Sequence, residues 1–359
     1  MPDVDPFKVG FLDEGLFPDS SAFDHTIGHA IRMRFDEAFE AGELDRPVDL
    51  VVRSGKGLPH GTARAVCDAW DALAAEGVLV IIGPGITDNC MAVVPNFEAC
   101  RVPTINFPGT TRSRGRYGFH YQVGALYGDG PLIARAMAAR GFDQVAVIRD
   151  RSPIGEEYFA YFAEECERSG LDIGVDVKCS PVATNLDSEV ARARASGADA
   201  LAYLGFGGVL VDLSASLNSA GWDPPRFTTT AGMHFYAKGE ADREVLSGWV
   251  YVDQVDEANG LLTAMLDRYE ARFGDRPFGP ITAAMYDMAT LAVLGLRNAT
   301  VHTPEGVLEG LERINQVGAA LGGAGTVMGF GPWERTALKG PDYLVLRQMK
   351  GQTTVRYSA

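Results

Sequence analysis

Gly77-Val-Leu-Val-Ile-Ile-Gly83-Pro-Gly85-Ile-Thr87-Asp88-Asn89 is the stretch on which the fold turns. A short apolar run, rich in β-branched residues, closes on glycine and proline. Continuous apolarity rather than alternation is what a parallel strand buried on both faces requires. Thr87 and Asp88 are N-cap residue types. The reading is a strand over 78–82, a tight turn, and a helix over about 88–99 whose first backbone N–H groups point outward. Ala198-Asp-Ala-Leu-Ala-Tyr-Leu-Gly205-Phe-Gly207 repeats the design, a buried strand ending in glycine just before a helix.

Working outward, the same rhythm fills the chain. Strands are expected at 8–12, 48–53, 103–107, 144–149, 173–178, 200–204, 226–230 and 248–253. Helices are expected between them: from Ser20 or Ser21 to Ala41, over 62–75, 129–139, 155–168, 187–196, 208–219, 258–273 and 279–298, with Thr303-Pro304 opening the last. Strands alternating with helices read as βαβ units with right-handed crossovers, hence doubly wound parallel sheets of the α/β class. The strands are too many for one comfortable sheet, so two similar lobes are expected. The helices after Trp249 have no full set of strands of their own and must complete an earlier lobe. The tail reads as antiparallel strands around Lys350-Gly351.

The chain has 359 residues, 46% hydrophobic and 22% charged, enough apolar material for one sizeable core or two smaller ones and too much for wholesale disorder. The net charge of −15 argues against nucleic acid and against anionic membrane surfaces as partners. The longest apolar run, 78–82, falls far short of the roughly 18–20 residues of a bilayer span, so no membrane insertion is expected. The five cysteines form no C-x-x-C pair, which suggests neither a zinc site nor a disulfide framework. The opening Met1-Pro-Asp-Val-Asp-Pro-Phe7 carries no basic start, apolar run or cleavage signature. On its face that gives a cytoplasmic chain, or a periplasmic or cell-surface one if the sequence is a mature form.

Chemistry-bearing motifs are sparse. His25 and His29 share a helix face at zinc-helix spacing, but Thr26 stands where a water-polarising glutamate would be, and a solvated polar face is the simpler reading. Gly205-Phe-Gly207-Gly208 imitates the start of a dinucleotide fingerprint, but Leu210 occupies the third glycine position, so a helix N-terminus with free N–H groups is what remains. No nucleophile elbow or P-loop occurs, and no cofactor or metal is expected. Pro103-Thr-Ile-Asn-Phe107-Pro-Gly109-Thr110-Thr111 is a second strand running into a glycine turn with hydroxyls. Two such turns at the carboxyl ends of neighbouring strands make a crevice for a small ligand. Arg112, Arg114 and Arg116 form a basic cluster that reads as a solvated loop or, alternatively, as a carboxylate anchor.

These segments, in this order, resemble the type I periplasmic binding proteins, the branched-chain amino-acid and amide binding family. The marks are Lys8-Val-Gly-Phe, Arg46-Pro-Val-Asp-Leu-Val-Val-Arg53, Gly77-Val-Leu-Val-Ile-Ile-Gly-Pro84, Arg101-Val-Pro-Thr-Ile105, Gly141-Phe-Asp-Gln-Val-Ala-Val-Ile-Arg-Asp150 before Gly155, Gly197-Ala-Asp-Ala-Leu, Leu217-Asn-Ser-Ala-Gly221, and Arg268-Tyr-Glu-Ala-Arg-Phe-Gly274 leading to Ala284-Met-Tyr-Asp-Met288. The resemblance covers nearly the whole chain. It implies two lobes, 1–124 with 252–329 and 125–251 with 330–359, joined by crossings near 122–126, 250–254 and 328–331. It also implies a ligand held between the lobes by hinge closure. Carried over position by position, the ligand contacts are Leu16 and Phe17 after the first strand, Thr87 with Asp88, Gly109 with Thr110, Ile154, Phe206, and Met233 with His234. Ile154 stands where the family has a tyrosine, and Ala231 where amino-acid binders carry an acid. A buried ammonium group needs such partners. The implied ligand is therefore a carboxylate, amide or amino-acid-like molecule with an apolar body, its oxygen end on Thr87 and Thr110, with Asp88 as the alternative partner for a cationic group. The implied role is delivery to an ABC permease. The alternative is a cytosolic ligand-responsive regulator of the amide-sensor type. An enzyme using His234 with Asp88 or Asp150 ranks below both, and the oligomeric state is left open.

Overall fold

The computed structural model describes residues 5–14, 27–234, 240–277, 279–340 and 342–358, with the side chains of 234, 240 and 241 left aside. The chain divides into two compact units, Met1–Val123 with Val255–Tyr343 and Gly124–Gln254 with Leu344–Ala359.

Unit 1 is built on β1 (Phe7–Asp13), β2 (Val48–Ser54), β3 (Val80–Ile82), β4 (Thr104–Asn106) and β5 (Gly118–His120). All pair in parallel, in the order β2-β1-β3-β4-β5. Helices α1 (His29–Glu40), α2 (Ala63–Ala75) and α3 (Thr87–Cys100) connect them. The apolar runs of β3 and β4 are buried throughout, as strands covered on both faces must be. Thr62 caps α2, its Oγ1 accepting from the Ala65 N–H at 3.2 Å, and the stripe Val66, Ala69, Trp70 and Leu73 is buried. The cap expected for the first helix at Ser20 or Ser21 lies outside the described residues.

Unit 2 runs α4 (Leu126–Ala139), β6 (Gln144–Asp150), α5 (Pro153–Ser169), β7 (Asp172–Cys179), α6 (Asp187–Ala195), β8 (Ala200–Leu204), α7 (Leu210–Ser219), β9 (Arg226–Thr228), α8 (Thr230–His234), α9 (Glu240–Val245) and β10 (Val250–Asp253). Its parallel strands lie in the order β7-β6-β8-β9-β10. Renumbered from each unit's own start, both sheets read second, first, third, fourth, fifth. Ser152 caps α5 ahead of Pro153, and Gly170 ends it at φ +69°, a left-handed conformation cheap only for glycine. Trp249, Tyr251, Tyr203, Leu213, Leu217 and Met349 form part of this unit's core.

The later helices α10 (Gly260–Phe273), α11 (Ile281–Asn298) and α12 (Pro304–Glu312), with the small antiparallel sheet β11 (Val317–Gly318), β12 (Val327–Met328) and β13 (Leu338–Lys339), belong to unit 1. Polar ties fix them to α1: Tyr286 Oη donates to Glu37 at 2.6 Å and Arg34 Nε to Thr290 Oγ1 at 3.0 Å. Buried Asp287 accepts from Tyr121 Oη at 2.7 Å and from the Ala320 N–H at 2.9 Å. β14 (Val345–Lys350) and β15 (Thr353–Arg356) make the expected antiparallel pair and extend the unit 2 sheet.

The chain passes between units after Val123, Gln254 and Tyr343. The last passage corrects the expectation of 328–331 and moves residues 330–343 from the second lobe into unit 1. Instead of leaving at Gly329-Phe-Gly331, the chain turns and lies beside β5. The His120 N–H donates to Arg335 O at 2.7 Å and the Ala337 N–H to His120 O at 2.8 Å. β5 itself was absent from the sequence reading, because Gly118-Phe-His120 is too short to carry a strand pattern.

Candidate functional site

In an open doubly wound sheet the strand order reverses between the first and third strands, and ligands bind outside the carboxyl ends there. In unit 1 that point lies between β1 and β3. The turn after β3 is tightly built: a Cβ on Gly85 would sit 2.0 Å from the Phe107 ring. The N-cap of α3 is Ile86, with extended backbone and no side-chain cap, not Thr87 or Asp88 as the sequence suggested. A distant carboxylate does the capping. Glu14, directly after β1, accepts from the Gly85 N–H, from the Ile86 N–H at 3.0 Å and from Asn89 Nδ2 at 2.6 Å. Asn89 also accepts from the Leu58 N–H at 2.9 Å, tying in the loop after β2. Two of the N–H groups expected to point outward are thus already taken. A negative charge at a helix N-terminus is favourable, but burial pushes the Glu14 carboxyl up to about 7 against its donors.

With Ile86 as cap, Thr87 becomes the first helical residue. It is buried, and its Oγ1 has no hydrogen-bond partner among the described residues. Asp88 is half-buried in the same turn. Gly109 and Thr110 are buried at the end of β4, and Thr110 Oγ1 accepts from the Arg112 N–H at 3.2 Å. Beside them His120 faces Pro108 O at 2.6 Å. A carbonyl only accepts, so Nε2 carries the proton. Burial lowers this imidazole to about 4, which keeps it neutral at pH 7. The arginine cluster does not gather as an anchor. Arg112 and Arg116 are exposed, and Arg114 donates to Thr111 O at 2.9 Å and Thr336 Oγ1 at 2.9 Å.

Unit 2 repeats the arrangement between β6 and β8. Asp150, the last residue of β6, accepts from Tyr203 Oη at 2.6 Å and from the Phe206 N–H at 2.8 Å. The Gly207 N–H donates to Tyr203 Oη at 3.2 Å. The helix N-terminus that the sequence left with free N–H groups has two of them engaged from within the unit. Burial raises the Asp150 carboxyl, against the Tyr203 and Phe206 donors. Phe206 and Ile154 are each 6% exposed, at the turns after β8 and β6. Ala231 is buried, and Met233 packs in the hydrophobic core of unit 2. His234 ends α8, with its side chain outside the description, and Leu16 and Phe17 lie outside the described residues. His29 stacks on Phe273 at 4.1 Å between centroids, and no group of metal-holding side chains occurs among the described residues.

A family model described as periplasmic binding protein matches residues 8–336. The chain belongs to the periplasmic binding protein family. Solved structures of this family share its fold. A type 1 periplasmic binding protein from Bordetella pertussis is 16% identical, with a TM-score of 0.85 over 99% of this chain and 100% of that one. The leucine binding protein LivK of Thermotoga maritima is 16% identical, with a TM-score of 0.81 over 98% of both chains. The branched-chain amino acid transporter substrate binding protein LivJ of Streptococcus pneumoniae, solved with isoleucine, is 17% identical, with a TM-score of 0.82 over 98% of both. No curated protein matches this binding protein in sequence. At such identities the likeness establishes the fold of this binding protein, two α/β units with parallel sheets.

Glu14 and Asn89 were missed as corner-building residues. A signal existed: an acid directly after an apolar strand, as Glu14 follows β1 and Asp150 closes β6, each beside a strand ending in glycines.

Proposed function

We propose that this chain is a solute-binding protein for a small organic acid, amide or amino-acid-like ligand with an apolar body, handed to an ABC permease. The residues we assign to the ligand's oxygen end are Thr87 and Thr110, and those to its apolar body are Ile154 and Phe206. The observation that carries the reading is Thr87: a buried hydroxyl at a switch-point corner with no partner among the described residues. A buried unpaired hydroxyl costs about 1–3 kcal/mol, which a ligand oxygen accepting from it removes. LivK is a leucine binding protein and LivJ was solved with isoleucine, both apolar-bodied ligands. Ala231 and Ile154, in place of an acid and a tyrosine, favour a ligand whose anchoring does not rest on an ammonium group.

Melting temperature against a panel of leucine, isoleucine, hydrophobic carboxylates and their amides tests the proposal. Ligand at 100 times Kd stabilises by about 2.7 kcal/mol, a rise of several degrees. A panel without response rejects the binding role. Micromolar binding of leucine or isoleucine, with hydrophobic carboxylates and amides inert, rejects anchoring that does not rest on an ammonium group. Thr87→Val is the sharper measurement. It removes an unpaired hydroxyl, so the unliganded protein keeps or gains stability, while affinity for the panel's best ligand falls about tenfold. Unchanged affinity removes Thr87 from the site.

A further inference from the structure

Unit 2 holds a cavity of about 380 Å³ at the edge of its sheet opposite the corners. It opens where β9 and β10 begin and is lined by Arg140, Phe142, Arg226, Phe227, Gln348 and Tyr357 among others. The volume suits a small organic molecule.

Its chemistry is unlike that of the rest of the protein. The chain carries a net charge of −15, yet this cavity is lined by two guanidinium groups, one of them (Arg226) paired with Asp223 behind it, and among the described residues by no carboxylate. Arg226 is held rigidly: Nη1 donates to Asp223 at 2.6 Å and Nη2 to Ser247 O at 2.7 Å. Its Nε is buried and has no acceptor among the described residues. Arg140, exposed at the end of α4, lies over the Tyr357 ring at 4.9 Å, and Nη2 reaches Ser358 O at 3.3 Å. Neither contact of Arg140 neutralises its charge. The walls between the arginines are aromatic. Phe227 stands edge-on to Tyr357 at 5.9 Å and to Phe142 at 6.4 Å between centroids. Rings so arranged favour a flat apolar guest, and the guanidinium of Arg140, with the unpaired Nε of Arg226 beside it, favours a carboxylate.

We infer that this cavity is a second binding site, selective for a planar aromatic carboxylate, with its carboxylate between Arg140 and Arg226 and its ring against Phe142, Phe227 and Tyr357. The site lies wholly within unit 2 and is independent of the corners assigned to the transported ligand. An apolar groove alone would take benzoate and its neutral amide alike; the charge of Arg140 gives the preference for the acid.

Benzoate and benzamide are the probes, with binding followed by calorimetry and by ligand-observed NMR on the full chain. Benzoate is expected to bind saturably, benzamide at least tenfold more weakly. Arg140→Glu, at an exposed position, leaves folding intact and weakens benzoate at least tenfold. Thr87→Val leaves the Arg140-dependent component of benzoate binding unchanged, which separates it from any benzoate taken by the corner site. No saturable benzoate binding, or binding reduced by Thr87→Val and untouched by Arg140→Glu, overturns the inference while leaving the solute-binding role to its own test.

Discussion

Gly207→Ala lowers the stability of unit 2 by about 3–5 kcal/mol, the sum of a strained backbone and a clash that cannot relax. Gly207 sits at φ +95°, in the region that disfavours side chains, and a Cβ there would lie 2.4 Å from Gly232 Cα and 2.6 Å from Gly232 O. Those are backbone atoms, so no rotamer change makes room. The turn after β8 and the short helix α8 after β9 meet here main chain to main chain, and a Cβ on Gly232 would in turn meet Thr228 Oγ1 at 2.4 Å. Gly141→Ala is the internal control. Gly141 has φ +77° but nothing within 4 Å of its Cβ position, so only the conformational cost of about 1–2 kcal/mol applies. Urea unfolding, followed through the fully buried Trp249, measures both. Equal losses in the two variants would show that the corner is not closely packed.

That contact explains why the corners were visible in the sequence and their wiring was not. Glycine after an apolar run marks a turn that must be tight, and 77–85 and 198–207 announced two such turns from local pattern alone. The strands followed for the same reason, since burial on both faces leaves continuous apolar runs. A cap inside the helix's own sequence, such as Thr303, was equally legible. Non-local capping was not. Nothing at 86–89 indicates that its N–H donors are met by a residue more than seventy positions upstream. With Glu14 in place, Thr87 is released from the capping role its residue type suggested, and its hydroxyl has no partner among the described residues. The third passage between units was misplaced because glycines at 329 and 331 signal a turn without saying which sheet receives the chain.

The paired acids show that each unit builds its corner with the same device, a buried carboxylate at the end of one strand gathering donors from the turn after its neighbour. Fixed donors hold such a corner to one geometry, but a buried charge is costly, and that cost is measurable. Glu14→Gln should change the pH dependence of stability by about 3 kcal/mol, from a shift of 2.5 pH units at about 1.4 kcal/mol each. In the folded chain Glu14 titrates at about 7, above the 4.5 of an unhindered glutamate. Between those values the folded state keeps a proton that the unfolded state has released. Glu14's contribution to stability is therefore greatest below about pH 4.5, declines as pH rises, and levels off above about 7. Glutamine does not titrate, so the variant lacks this decline. It bears instead a constant penalty, because its amide N–H₂ faces Asn89 Nδ2, another donor. Asp129 and Asp287, raised by burial to about 6, and His120, lowered by burial to about 4, are common to both proteins and cancel in the difference. Unfolding free energies of both proteins at pH 4.5 and pH 8 give the result directly. The gap between them should move by about 3 kcal/mol in favour of the glutamine variant at the higher pH. A gap that stays constant means that the donors of Gly85, Ile86 and Asn89 offset the burial, and that Glu14 ionises in the folded chain as readily as in the unfolded one.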